Sequence, residues 1–371
     1  MSRYSPESQF ILDCLRSNFQ QDQELQIDSC LNWDAILETA FRHRVIPHLF
    51  QAMRSQQMPV ALREQYDCNA LNSLKLAGEL KRILAILPVA AIPFKGPVLA
   101  FQTYGNLSSR QFDDLDLLIN VEDYPLAKVA LLENGYALVD RLSPLQESAF
   151  LESQHHCQFF NKKLGTILEV HWKIAPKIYS FALSVSDLFE RADVINAFGQ
   201  DVLTLSREDT MLVLSEHGAR HYWSRLEWIC DIARLCQSEL DWQEILDRAK
   251  SLGILRSTHL AVSLARDFLG MDVPELHLFA GDKNIHPLAK DVKDRIFEKF
   301  IHTDPHIERF YIRSRERKRD KFRYYVYRAV LPTQEDWASI DLPSSLFPLY
   351  SLIRPLRLIN KYGSEVVKWL R

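Results

Sequence analysis

The sequence predicts an α+β fold, a small mixed β-sheet core flanked by N-terminal and C-terminal helical units. Three observations predict it. Apolar residues recur at helical spacing through residues 5–88 and again from residue 206 onward. Between them, residues 89–205 carry short apolar runs alternating with helical stretches, the pattern of a small sheet covered by helices. Only 11 glycines in 371 residues argue against a β-rich or low-complexity chain.

The elements follow in order. Ser5 before Pro6 sets an N-cap ahead of a proline at the first helical position, leading into Phe10, Ile11, Cys14 and Leu15. Asp34 is expected to cap a second helix carrying Ile36, Leu37, Ala40 and Phe41. His43 and Arg44 fall in the turn after it, where they either cap the helix C-terminus or reach a phosphate. A longer amphipathic run over 61–87 puts Leu71, Leu74, Leu76, Leu80, Ile83, Leu84 and Leu87 on or near one face and completes a helical unit, 1–88.

Residues 89–205 read as the α/β core. A strand over 89–94 leads through the Lys95-Gly96-Pro97 turn into an apolar helix. A polar loop with Arg110 then enters a second strand, opening on Asp113, Asp114 and Asp116 and closing on Leu117, Leu118 and Ile119. Glu122 and Asp123 start a helix that Gly135 ends, and 136–139 resumes as a strand. Runs 156–160 and 166–172 read as strands joined by a hairpin over 161–165. From Ser206, with Asp209 in the place of the capping-box glutamate, helices run to about Arg220, then over 223–236, 242–252 and 254–269, with Gly253 and Gly270 as breaks. These form a helical unit, 206–270. Residues 271–285 read as a loop, opening a basic, aromatic, mostly helical region, 271–371.

The chemistry concentrates in the second strand. Asp114 and Asp116 stand two apart, so a pleated strand aims both at one face, about 6 to 7 Å between Cα atoms. Asp113, Leu115, Leu117 and Ile119 take the other face. Two carboxylates at the mouth of a buried strand repel each other, and a divalent cation relieves that repulsion. The glycine turn opening a helix nearby offers backbone N–H groups to a phosphate. Glu169 is an acid in an otherwise apolar strand; period two puts it with His171 on one face and Leu168, Val170 and Trp172 on the other. Metal plus phosphate is the site these residues suggest.

The pattern K-G-x2-L, then Tyr104, then R-x3-D-x-D-L-L from Arg110 to Leu118 resembles the nucleotidyltransferase fold of the DNA polymerase β superfamily. More narrowly it resembles a bacterial group described as uncharacterised nucleotidyltransferases. An acid-x-His-Trp strand (Glu169 to Trp172), a helical H-G-A-x-H-x-W-x-R-L-x-W-x2-D block (His217 to Asp231) and an H-R-V-x-P segment (His43 to Pro47) extend the resemblance over most of 35–270. It implies transfer of an NMP group from an NTP, ATP among the candidates, to an acceptor hydroxyl, with Mg²⁺ or Mn²⁺ and release of pyrophosphate. Asp114 and Asp116 would then bridge two metals, and Glu169 would hold the catalytic one and orient the hydroxyl. Lys95, Gly96 and Arg110 would face the triphosphate.

The Lys-Gly turn departs from the Gly-Gly or Gly-Ser of the wider superfamily, and Pro97 removes one backbone donor. Lys95 would instead bring a point charge to the β- or γ-phosphate. Arg110 either contacts triphosphate or pairs with Asp113 or Asp114. His217, His221 and Arg225 either touch the nucleotide or, with Trp223 and Trp228, pack the joint between the helical and catalytic units. No H-E-x-x-H occurs, so zinc is not expected there. The acceptor is open: a small molecule, a peptide, a protein side chain or an RNA end.

Other bounds are broader. A net charge of −3 carries no global nucleic-acid signal. Six scattered cysteines without a C-x-x-C pair point to free thiols in a reducing cytosol. With no apolar leader and no apolar run of membrane-spanning length, a cytoplasmic protein without membrane contact is expected. Segment 309–328 holds nine Lys or Arg and two acids among aromatics, which reads either as an RNA or acidic-partner surface or as a solvated helix face. Two rival functions follow: a non-catalytic nucleotide- or partner-binding module on the same fold, and an RNA-binding protein acting through that segment.

Overall fold

The computed structural model describes residues 4–369 apart from 21–24, 26, 29, 140–143, 280, 300–304, 334–335, 337–339, 341, 343–345 and 347–348. Helices α1 (Pro6–Ser17), α2 (Trp33–Arg42), α3 (Ile46–Ala52) and α4 (Val60–Ile86) precede the sheet. Strand β1 (Ile92–Pro93), α5 (Gly96–Tyr104), β2 (Asp114–Leu118), α6 (Tyr124–Glu133), β3 (Ala137–Leu138), α7 (Pro144–Ser153), β4 (His156–Asn161) and β5 (Thr166–His171) build the core. Helix α8 (Val185–Glu190) and the hairpin β6 (Asp193–Ala197) and β7 (Gln200–Thr204) lead to α9 (Arg207–Arg220), α10 (Leu226–Cys236), α11 (Trp242–Leu252) and α12 (Leu255–Leu269). Beyond lie α13 (Ile285–Arg295), α14 (Pro305–Ser314), α15 (Lys318–Val330) and α16 (Tyr350–Trp369).

The chain is α+β, with a mixed five-stranded sheet in the order β1-β2-β5-β4-β3 and helices at both ends. Strands β2 and β5 are parallel; the other neighbours in this sheet are antiparallel. One face, with Leu115, Leu117, Leu168 and Val170, packs against Leu80 of α4, Val98 of α5 and Leu131 of α6. Leu118, on the other face, joins the larger helical core of α1, α2, α3 and α9 to α13. The acids therefore sit where the sheet meets that helical core.

Local chemistry explains most boundaries. Ser5 Oγ accepts the Ser8 N–H with Pro6 just inside α1, and Ser206 Oγ accepts the Asp209 N–H at the start of α9. The Asp209 carboxylate accepts from the Ser206 hydroxyl at 3.3 Å and also takes Arg191 and Arg248. Asn32, not Asp34, caps α2, accepting the Ala35 N–H at 3.2 Å. Leu71 and Leu74 are 67% and 60% exposed, because they lie about half a turn away from the buried stripe of Ser73, Leu76, Leu80 and Ile83. Glu79 on that stripe is buried against Arg82 and the Tyr136 hydroxyl.

Helix α10 opens at Leu226 rather than 223, since Tyr222 and Trp223 both adopt positive φ. The Trp223 indole lies on Gly218, where a Cβ would come within 2.5 Å of the ring. Segment 271–285 holds a 3₁₀ turn at Pro274–Phe279. Segment 309–328 is two helices broken at 315–317, not one: Arg315 turns inward onto Asp320 at 3.2 Å and Arg317 donates to the Ser251 carbonyl at 3.0 Å. Phe310, Tyr311 and Tyr324 are buried, while Phe322 and Tyr325 are exposed.

Candidate metal and phosphate site

Strand pairing assembles the site. In the parallel register of β2 and β5, Asp114 lies across from Ile167, Asp116 from Glu169 and Leu118 from His171. Parallel neighbours in register present like parities to the same face, so the acids of two distant segments come side by side. Asp116 accepts from Lys95 Nζ at 3.0 Å and lies 3.2 Å from His171 Nε2. Glu169 lies 3.2 Å from the same ring nitrogen through Oε2 and accepts from Gln158 Nε2 at 2.7 Å through Oε1. One donor atom from each of Asp116, Glu169 and His171 falls within 4.8 Å of the others, the spacing of ligands around one ion. Asp114, half-buried at the strand mouth, stands outside that group and opens onto the adjoining cavity.

Charge balance follows from these contacts. Burial would push the Asp116 carboxyl up, but Lys95 and the His171 hydrogen bond outweigh it and hold Asp116 below the carboxylate range. Glu169, half-buried and bonded to His171, is held down at about 2. Asp114 goes the other way, raised by burial and by the Asp116 charge. Burial disfavours the charged form of His171, yet its bonds to Asp116 and Glu169 raise its pKa overall. Lys95 Nζ and His171 thus occupy the places where cationic charge is wanted, and this donor set suits a divalent metal.

Next to the acids, α5 begins. Gly96, at φ +54°, is its first residue, and a Cβ there would stand 3.1 Å from the Asp114 carbonyl oxygen. No side chain caps this helix end, and Pro97 contributes no N–H. A cavity of about 190 Å³ lies in front, lined by Arg44, Lys95, Gly96, Arg110, Asp114, Asp116, His217, Arg225, Glu227 and Trp228. Arg225 lies over the Trp228 ring, 5.4 Å from its centroid.

Arg110 pairs with neither Asp113 nor Asp114. Its Nε donates to Asp231 at 3.1 Å, its Nη2 lies 3.7 Å from Glu227, and the Tyr104 hydroxyl donates to Asp231 at 2.9 Å. Asp113 instead takes Arg44 at 2.7 Å. The reason is burial: a guanidinium with 6% of its side chain exposed needs carboxylates that are equally dry, and Asp113 is solvent-exposed. Burial lifts Glu227 to about 7 against the pull of Arg110. His43 caps α2, and its ring accepts the Leu226 N–H, so it serves structure while Arg44 reaches the cavity.

His217 and His221 lie on one helix face with ring centroids 4.6 Å apart, both against Trp228. His217 lines the cavity, and burial holds it neutral, well below the usual histidine range. Four residues escaped the sequence reading. Glu227 looks like any helical acid, and Gln158 like any strand amide. The paired histidines at 155–156 were visible as a doublet, but only the β4–β5 register sets His156 across from His171.

Residues 29–270 match the family described as uncharacterised nucleotidyltransferases, and the chain belongs to that family. No curated protein and no solved structure matches it. Membership indicates a nucleotidyltransferase in general terms, with an NTP as substrate. Such enzymes generally use divalent metals, and the Asp116, Glu169 and His171 group could hold one. Among the described residues, no helix is long and apolar enough to cross a membrane.

Proposed function

We propose that this chain transfers an NMP group from an NTP to an acceptor hydroxyl, releasing pyrophosphate, with Mg²⁺ or Mn²⁺ bound at Asp114, Asp116 and Glu169. The observation that carries the reading is the β2–β5 register, which sets Asp116 beside Glu169 and against Lys95. Bound there, the metal would lower the pKa of the attacking hydroxyl and neutralise charge on the leaving pyrophosphate. The protein supplies the rest. Lys95, Gly96 and the uncapped start of α5 give the polyphosphate a charge and backbone donors. Arg225 and Arg44 add positive charge to the cavity wall, and Trp228 with neutral His217 gives it a flat face for the nucleoside. His221 supports that face, and Arg110, locked to Asp231 and Glu227, holds the strand entry in place.

Under this reading residues 89–205 are the transfer core, while 1–88 and 206–270 bring Arg44, His217 and Arg225 to it and 271–371 extends the helical side. All six cysteines are free, which fits a cytoplasmic setting. The test is a thermal-shift titration with each of the four NTPs, with and without Mg²⁺, on wild type and the Asp114→Ala/Asp116→Ala variant. Ligand at about a hundred times its dissociation constant adds about 2.7 kcal/mol. The expected result is a metal-dependent shift that the variant loses. An NTP shift that persists in the variant would place the nucleotide elsewhere and overturn the assignment.

A further inference from the structure

His155 and His156 have no part in the reading above, yet they form a donor group with His171, which has one. His155 immediately precedes β4 and His156 opens it, and the antiparallel register sets His156 across from His171 of β5. The backbone holds this corner in place, since the N–H groups of Trp172 and Lys173 both donate to the His155 carbonyl, at 3.0 and 3.3 Å. One ring nitrogen from each of the three histidines falls within 4.8 Å of the others. His156 Nδ1 is 3.0 Å from His155 Nε2, while His156 Nε2 and His171 Nε2 lie 3.8 and 3.2 Å from Glu169 Oε2. An ion takes one nitrogen from each ring, so His156 would meet it through Nδ1, which stands 3.0 Å from His155, close to the roughly 3.3 Å between ligand atoms about 2.0 to 2.1 Å from a tetrahedral ion.

A second observation points the same way. His171 is 3% exposed, and its Nδ1 is buried with no hydrogen-bond partner among the described residues. A buried ring nitrogen left unpaired calls for an explanation, and an ion on Nδ1, with Nε2 kept on Asp116 and Glu169, supplies one. His155 and His156 are partly exposed, which leaves an entry path from solvent.

We propose that His155, His156 and His171, the last through Nδ1, form a second cation site for a borderline divalent transition metal such as Zn²⁺ or Co²⁺. Imidazole donors suit such ions, whereas the carboxylates of Asp114 and Asp116 suit hard Mg²⁺. His171 stands between the two positions, its Nε2 on Asp116 and Glu169. The site shares that residue with the transfer centre but does not require transfer to occur.

Metal-free, full-length protein would be titrated with Zn²⁺ by calorimetry and with Co²⁺ by its ligand-field absorption, with no nucleotide present. Wild type is expected to bind one ion that excess Mg²⁺ does not displace. The His155→Ala/His156→Ala variant should bind at least about tenfold more weakly, and Asp114→Asn should bind as wild type does. If the double variant does not fold, His156→Gln is read by the same criterion. Failure of wild type to bind either ion in the presence of Mg²⁺, or unaltered binding by the histidine variants, would overturn the site. A protein that binds Zn²⁺ but shows no NTP shift would count against the transfer reading alone.

Discussion

On the proposed transfer reading, Asp114 serves the reaction at the expense of the fold. Burial and the neighbouring Asp116 raise its pKa. The folded chain therefore holds that proton more tightly than the unfolded chain, so this carboxyl favours folding at low pH and opposes it as pH rises through the folded value. Asp114→Asn removes the penalty. In EDTA at neutral pH its melting temperature should match or exceed that of wild type, while NMP transfer is lost; retained transfer would refute the assignment. His43 and His48 give the opposite dependence. Burial holds both neutral down to about 3, so between pH 6.5 and 3 the unfolded chain takes up protons that the folded one refuses. Stability falls on acidification through that window, by at most about 1.4 kcal/mol per pH unit for each histidine. Both ring nitrogens of His48 lack hydrogen-bond partners among the described residues. His48→Leu should flatten the acid limb, seen as a smaller drop in urea midpoint between pH 7 and pH 5.

At the scale of elements, two glycines set the geometry around the site. Gly96→Ala would put a methyl group against the Asp114 carbonyl in a left-handed backbone, at a cost of about 1 to 3 kcal/mol. The strand mouth would shift with it, so the metal-dependent NTP shift should shrink more than the melting temperature does. Gly218→Ala would drive a methyl into the Trp223 ring and should destabilise by about 1 to 3 kcal/mol. This scale was the most legible in the sequence, because caps and parity are local. Ser5 and Ser206 cap as their neighbours dictate, Gly253 and Gly270 end their helices in the left-handed region, and the alternation in β2 and β5 predicts their buried faces. The start of α10 was not legible, since the positive φ of Tyr222 and Trp223 accompanies a ring laid on a glycine a turn earlier. Nor were α7, α8 or the β6–β7 hairpin, where short elements leave little periodicity to read.

Across the whole molecule, the cavity draws on three stretches of chain: Arg44 from the helices before the sheet, Lys95 to Asp116 from the core, and His217 to Trp228 from the helices after it. Arg110 joins the last two through Asp231 and Glu227. Arg110→Met would leave two buried carboxylates without a cation and should cost about 3 to 5 kcal/mol by denaturant titration. The sequence singled out Arg110 and Asp231 separately, yet nothing in their spacing couples them. Ion pairs between distant segments depend on the completed packing, which also explains why Asp113 and Arg44 could not be matched in advance.

The strand order carries a consequence for the assembly of the protein. Between β2 and β5 the chain must complete α6, β3, α7 and β4, because parallel neighbours cannot be joined by a tight turn. Strand β5 is the last of the five to be synthesised, yet it takes a place between β2 and β4, and such non-local pairing is slow. A ribosome-bound chain that stops short of β5 has Asp114 and Asp116 but lacks Glu169 and His171. On the proposed transfer reading, a chain without β5 in place therefore lacks its third acid and is expected to be inert.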